Sequence, residues 1–138
     1  MAISARNKLQ GRVTNIKSGE AMCLVTLDAQ GTKIVAAVTH QGVEELNLKQ
    51  NDQVTAVIKS TEVMLMKGGG QATFSARNRF EGQVESVQKG EAMGLVTVKT
   101  GPFHLGAAIT REAIDEMGLK QGDQVTALVK ATEVMLMK

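Results

Sequence analysis

The chain has 138 residues, a formal net charge of +2 and only 2% aromatic residues. So mild a charge creates no field that would by itself favour a nucleic acid or a membrane surface, and three phenylalanines without Trp or Tyr give no stacking platform for single-stranded bases. The single cysteine, Cys23, excludes an internal disulfide framework and a thiolate metal cluster; no stretch reads as a secretory signal or a membrane span, so a cytoplasmic location is expected.

In chain order, residues 13–16 and 24–27 alternate apolar and polar side chains, the period of half-buried strands. Ser18-Gly19-Glu20 between them is turn chemistry. A third strand is expected over 33–38. Val43 and Leu46 then give a helical spacing, predicting one or two turns over 41–46; Glu112, Ile114 and Met117 repeat the pattern. Asn51-Asp52 and Gly122-Asp123 read as turns. Strands are expected over 53–58 and 61–67, with a bulge or bend at Lys59-Ser60 where alternation breaks. Five short strands with a small helix after the third predict an all-β chain of oligonucleotide/oligosaccharide-binding-like (OB-like) five-stranded barrels.

The sequence occurs twice. Ser4-Ala5-Arg6-Asn7 returns as Ser75-Ala76-Arg77-Asn78, and an offset of 71 also superposes Gly19-Glu20-Ala21-Met22 on Gly90-Glu91-Ala92-Met93. It carries Thr61-Glu62-Val63-Met64-Leu65-Met66-Lys67 onto Thr132-Glu133-Val134-Met135-Leu136-Met137-Lys138 without a gap. The expected modules are 1–67 and 72–138, joined by a flexible linker at 68–71. Modules of this size bury too little surface to be robust alone, so mutual packing, strand exchange or oligomerisation is expected. Any ligand site should occur twice.

Enzyme chemistry finds little support. His40 aligns with Arg111, and His104 with Lys33, so neither histidine recurs; both are expected at the surface. Glu44-Glu45 reads as a solvated helix face, and Gly68-Gly69-Gly70 lacks the Lys-Ser/Thr of a phosphate loop. Phe74 and Phe80 align with Ile3 and Leu9 and are expected in the core. The alternating Met64, Met66, Met135 and Met137 read as strand residues in a core or interface rather than soft-metal ligands. What recurs is a set of small polar and cationic residues: Ser4, Arg6, Asn7, Thr39, Lys59 and Ser60, matched by Ser75, Arg77, Asn78, Thr110, Lys130 and Ala131. Hydroxyls, backbone N–H groups at bends and a Lys or Arg suit a tetrahedral dianion. The same residues also fit an ordinary strand start, with Asn7 capping a turn, and a solvent-facing lysine.

The three repeated motifs resemble the Mop-type molybdate-binding domain of molbindins in its duplicated, di-Mop form, over essentially the whole chain. The resemblance implies OB-like barrels with strands exchanged between modules, and a homotrimer of two-module chains. It implies binding of molybdate, and by likeness of shape and charge tungstate, for intracellular molybdenum storage, with no catalysis, no nucleic acid and no membrane. The alternative function is an oxyanion-dependent regulatory or protein-interaction module. Carried over by position, one module would supply Ser4, Arg6, Lys59 and Ser60 and a facing module Thr39; the second set is Ser75, Arg77, Lys130, Ala131 and Thr110. Ala131 lacks the hydroxyl of Ser60, and Ala113 replaces Gly42, so the two classes of site are expected to differ. The turns Gly19, Glu20, Ala21 and Gly90, Glu91, Ala92 are candidate contributors to a second oxyanion site through backbone donors only, since the glutamates repel an anion.

Overall fold

The computed structural model describes residues 2–68 and 73–138; the linker assigned to 68–71 lies outside them from residue 69 onward. The first repeat forms β1 (Asn7–Lys17), β2 (Met22–Ala29), β3 (Thr32–Thr39), α1 (His40–Glu45), β4 (Gln53–Ile58), a 3-10 turn (Ser60–Glu62) and β5 (Met64–Lys67). The second forms β6 (Asn78–Lys89), β7 (Met93–Thr100), β8 (Phe103–Thr110), α2 (Arg111–Met117), β9 (Gln124–Val129), a 3-10 turn (Ala131–Glu133) and β10 (Met135–Met137).

The last strand of each repeat leaves its own barrel. One five-stranded sheet runs β10-β4-β1-β2-β3 and the other β5-β9-β6-β7-β8. Leu136 thus pairs with Ala56, and Leu65 with Ala127, all antiparallel. Strand exchange follows the logic of small modules: neither repeat closes its own β4 or β9 edge, and each lends the other the strand that does. The core is shared accordingly. Leu9, Val13, Leu27, Ile34 and Ile58 of the first repeat form one buried cluster with Phe80, Leu105, Val129 and Val134 of the second. Each large side chain so removed from water contributes about 1.5–3 kcal/mol.

Alternation located the strands but misjudged several ends. β1 and β6 begin six residues earlier than the pattern at residues 13 and 84 suggests, because Asn7-Lys8-Leu9-Gln10 already alternates buried and exposed. The fifth strand is shorter than expected: Thr61 and Glu62 lie in a 3-10 turn. The break at Lys59-Ser60 is therefore the entry to that turn, and the register irregularity sits instead between Val13 and Asn15, and again between Val84 and Ser86. Just upstream, a Cβ on Gly11 would come within 2.9 Å of the Asp28 carbonyl oxygen, so this bent strand crosses β2 too closely for a side chain. Phe80 is buried as expected, but Phe74 is exposed, lying under the Arg79 guanidinium at 5.8 Å. Met64 and Met135 are also exposed, at 44% and 51%.

Two reciprocal polar devices fix one repeat on the other. Asn7 does not cap a turn; it is buried, its amide N–H donating to the Gly106 carbonyl (2.8 Å) and its oxygen accepting from the Gly106 N–H (2.8 Å). Asn78 does the same with Val35, at 2.8 and 2.7 Å. Lys67, at the end of exchanged β5, donates to the Met117 and Gly118 carbonyls at the C-terminus of α2 and pairs with Asp123 at 3.2 Å. Lys138 treats α1 likewise, reaching the Leu46 and Asn47 carbonyls and Asp52. Each lysine satisfies orphan helix carbonyls and opposes the negative end of the helix dipole.

These devices are testable. Asn78→Ala strips the partners from both the N–H and the C=O of buried Val35, and should lower unfolding free energy in urea by about 2–4 kcal/mol; a loss under about 0.5 kcal/mol would mean the clamp is dispensable. Asp52 is held below the usual carboxylate range, first by Lys138 and then by the Lys49 N–H, and Asp123 first by the Lys120 N–H and then, against burial, by Lys67. In the unfolded chain these carboxyls take up protons near pH about 4. Their stabilisation should therefore be complete at neutral pH, erode from that value downward and vanish as pH falls through the folded-state values. Asp52→Asn/Asp123→Asn should flatten this acid limb in pH-dependent urea titrations.

Candidate functional site

The exchange carries the segment after β4 into the other repeat. The first 3-10 turn packs on β8 and the second on β3. A cleft of about 610 Å3 opens beside the first-repeat barrel where these parts meet. Its wall is made by Ser4 and Ala5, by Lys59, by Val38 and Gly42 at the β3–α1 junction, and by residues 132–136 of the second repeat. Ser4 and Lys59, far apart in sequence, thus face one space, both exposed.

The remaining candidates fall elsewhere. Thr39 is absent from the cleft wall although Val38 and Gly42 on either side of it line that wall. Its side chain caps α1, accepting from the Gly42 N–H at 3.0 Å. Arg6 opens onto a separate groove with Lys8, Pro102, Phe103 and His104. Ser60 is half-buried and Ala131 buried at the start of the two 3-10 turns, while Ser75, Arg77 and Lys130 are exposed. Thr110 caps α2 through the Ala113 N–H (3.0 Å) and lines a depression with Glu91, Ala92, Arg111 and Asp115. The threonines therefore sit with the turns, which the sequence reading assigned to a different site. Met22 pairs with Thr39 and Met93 with Thr110, and the His40 and Arg111 N–H groups donate to the Ala21 and Ala92 carbonyls at 2.9 Å.

The electrostatics of the cleft are informative. Among the described residues Lys59 is its only cation, and Glu45, Glu62 and Glu133 also line it. Three carboxylates against one ammonium do not make an anion trap within a single chain. Hydroxyl and amide donors from Ser4 and the bends are present, but the positive charge is not sufficient.

Sequence reasoning missed a second polar cluster. Cys23 is buried, with Sγ 3.8 Å from Nδ1 of His40. The same nitrogen lies 3.1 Å from the Gly19 carbonyl, and Nε2 lies 2.8 Å from Glu44. A donated bond from the Gly19 N–H, outweighing burial, pulls the Cys23 thiol below its ordinary value, and contact with Cys23 and Glu44 raises His40. In the second repeat Gly94, Arg111 and Asp115 stand at these places. A side chain on Gly94 would collide with Ile114, which is larger than the Val43 it replaces. No group of three or more His, Cys, Asp and Glu poised to hold a metal ion occurs among the described residues, and no helix there is long and apolar enough to cross a membrane. The burial of Cys23 should decide its reactivity: a bulky aromatic disulfide reagent should modify it at least tenfold more slowly in the native protein than in urea. Equal rates would place the thiol at the surface.

The TOBE domain matches the chain twice, over residues 3–65 and 75–136. Molybdenum transport protein ModE of Herbaspirillum seropedicae is 36% identical over an alignment of 138 residues that covers 99% of this chain and 51% of that protein. Molybdenum-pterin-binding protein MopA of Rhodobacter capsulatus is 33% identical, again over 99% of this chain and 52% of its own length. The chain thus spans about half the length of these two relatives. Molybdenum-pterin-binding protein 1 of Clostridium pasteurianum aligns with 48% of this chain and 98% of its own, at 46% identity. Among solved structures, the cytoplasmic molybdate-binding protein ModG with molybdate bound superposes with a TM-score of 0.95 at 34% identity, covering 99% of each chain.

Proposed function

This chain belongs to the TOBE-domain family, carrying the domain twice, and from that premise we propose that it binds molybdate reversibly, as an intracellular store or buffer. The observation that carries the reading is the match to ModG with molybdate bound, over 99% of both chains. Names of relatives of half and double length point to the same chemistry. The chemistry is binding and not catalysis: hydroxyls, backbone N–H groups and lysines can enclose a tetrahedral dianion without breaking a bond. Tungstate, of nearly the same shape and charge, binds alongside.

The modules are read as 1–67 and 72–138, joined through 68–71. Ser4 and Lys59, with Arg6 and Ser60, supply one class of site; Ser75, Arg77, Lys130 and the Ala131 backbone supply the other. Thr39 and Thr110, held with the Gly19–Ala21 and Gly90–Ala92 turns, belong to a second surface, which meets these sites across copies. The carboxylates around Lys59 support this arrangement, because the missing positive charge must come from another copy. Exposed Met22, Met64, Met93 and Met135 are suited to cover by neighbours in a homotrimer of two-module chains.

Native mass spectrometry with molybdate, and separately with excess sulfate, tests both statements. The expected result is a trimer gaining molybdate adducts and ignoring sulfate; a trimer without adducts would remove the function, and a monomer with full binding would remove the shared site. Lys59→Ala should weaken molybdate binding at one class of site by about 1.5–3 kcal/mol in calorimetry, the range for a charge-assisted bond. Ala131→Ser, which restores a hydroxyl, should tighten the other class. Unchanged affinity in Lys59→Ala would withdraw that residue from the site.

A further inference from the structure

The ring of His40 bridges two elements. Its Nδ1 faces the Gly19 carbonyl in the β1–β2 turn, and its Nε2 faces the Glu44 carboxylate one turn along α1. A carbonyl and a carboxylate can only accept, so both contacts are satisfied together only when both ring nitrogens carry protons. Arg111 makes the corresponding pair of contacts in the second repeat: one guanidinium nitrogen donates to the Gly90 carbonyl (3.2 Å) and another to Asp115 (3.1 Å). Arginine keeps its charge throughout the physiological range, and histidine does not.

We propose that His40 is a pH-operated latch between the Gly19–Met22 turn and helix α1, and that Arg111 is its permanently closed counterpart. The latch does not depend on the oxyanion reading. The groups facing the ring are Cys23 from β2, Glu44 from α1 and the Gly19 carbonyl from the turn. They also determine what opens. When the imidazolium gives its proton to water, the nitrogen against Glu44 keeps its hydrogen, because the carboxylate has none to offer in return. The bare Nδ1 is then an acceptor with no hydrogen to give, and the Gly19 carbonyl loses its side-chain partner. The raised value of His40 sets the direction: the latch is closed in acid and opens as pH rises through a midpoint above the ordinary imidazole value.

The second repeat is an internal control within the same molecule. NMR of the full chain, labelled with 15N, would follow the His40 ring and the turn amides from pH about 5 to about 9, bracketing the ordinary imidazole value of about 6.5. The ring should titrate above that value and end as the Nε2–H tautomer. The amides of residues 19–23 should titrate with it, and those of residues 90–94 should not. His40→Arg should abolish titration in the first turn. Cys23→Ala should leave the ring titrating and the turn amides moving with it, because Glu44 still holds the remaining proton on Nε2. A ring midpoint at or below the ordinary value would overturn the proposal, as would turn amides that stay unmoved while the ring titrates.

Discussion

A buried amide side chain that mimics a peptide group holds the two repeats in a single arrangement. Asn7 and Asn78 each offer one donor and one acceptor to the backbone of one residue in the other repeat, Gly106 in β8 and Val35 in β3. Both strands are edges of their sheets. An edge strand carries unpaired peptide groups, and burying them without partners costs about 1–3 kcal/mol each. The clamps remove that cost at the middle of each edge, and they are geometrically strict: an apolar residue of the same size would pack but leave two buried polar groups unpaired at each clamp. With the clamps in place, β5 and β10 are aimed across the junction, and the lysines at their ends reach the helix C-termini they cap.

Position of the candidate site follows from this arrangement. Because the strand after Lys59 belongs to the other barrel, the 3-10 turn beginning at Ser60 is drawn against β8. The corresponding turn at Ala131 is drawn against β3. The cleft near Ser4 and Lys59 is therefore walled by both repeats, and residues 132–136 of the second repeat form one of its sides. This cleft could not be built from one repeat alone. Away from the cleft the repeats differ at the contact of β2 with the helix: Cys23 and Val43 stand where the second repeat has Gly94 and Ile114, and His40 stands where it has Arg111, which makes the corresponding contacts.

The sequence made legible whatever depends on near neighbours. The residue pattern found the five strands of the first repeat in their right order, and the repeat at offset 71 carried them onto the second. Motifs at fixed spacing identified the family. Strand exchange was implied by the resemblance and by the small size of the modules, but alternation could not show it: β5 has the same pattern whether it pairs with β4 or β9. Asn7 illustrates the limit. At the head of an alternating strand it reads as a turn cap, and only the partner 99 residues away makes it a clamp. Phe74 failed for a related reason, since an apolar residue before a strand carries no mark of which side it will face. The cluster at Cys23 was hidden because neither Cys23 nor His40 recurs in the second repeat, so neither stands out from the repeated pattern.

Exchange of the terminal strands also changes what kind of object the chain is. As separate polypeptides, each repeat would present an open β4 or β9 edge and carry a strand suited to the other, so folding would become a meeting of two molecules. Joined, the meeting is internal, with an effective concentration in the millimolar range for a short tether. The completed barrels should then persist at dilutions where two separate halves would part. The molecule has exchanged dependence on its own abundance for dependence on a covalent link.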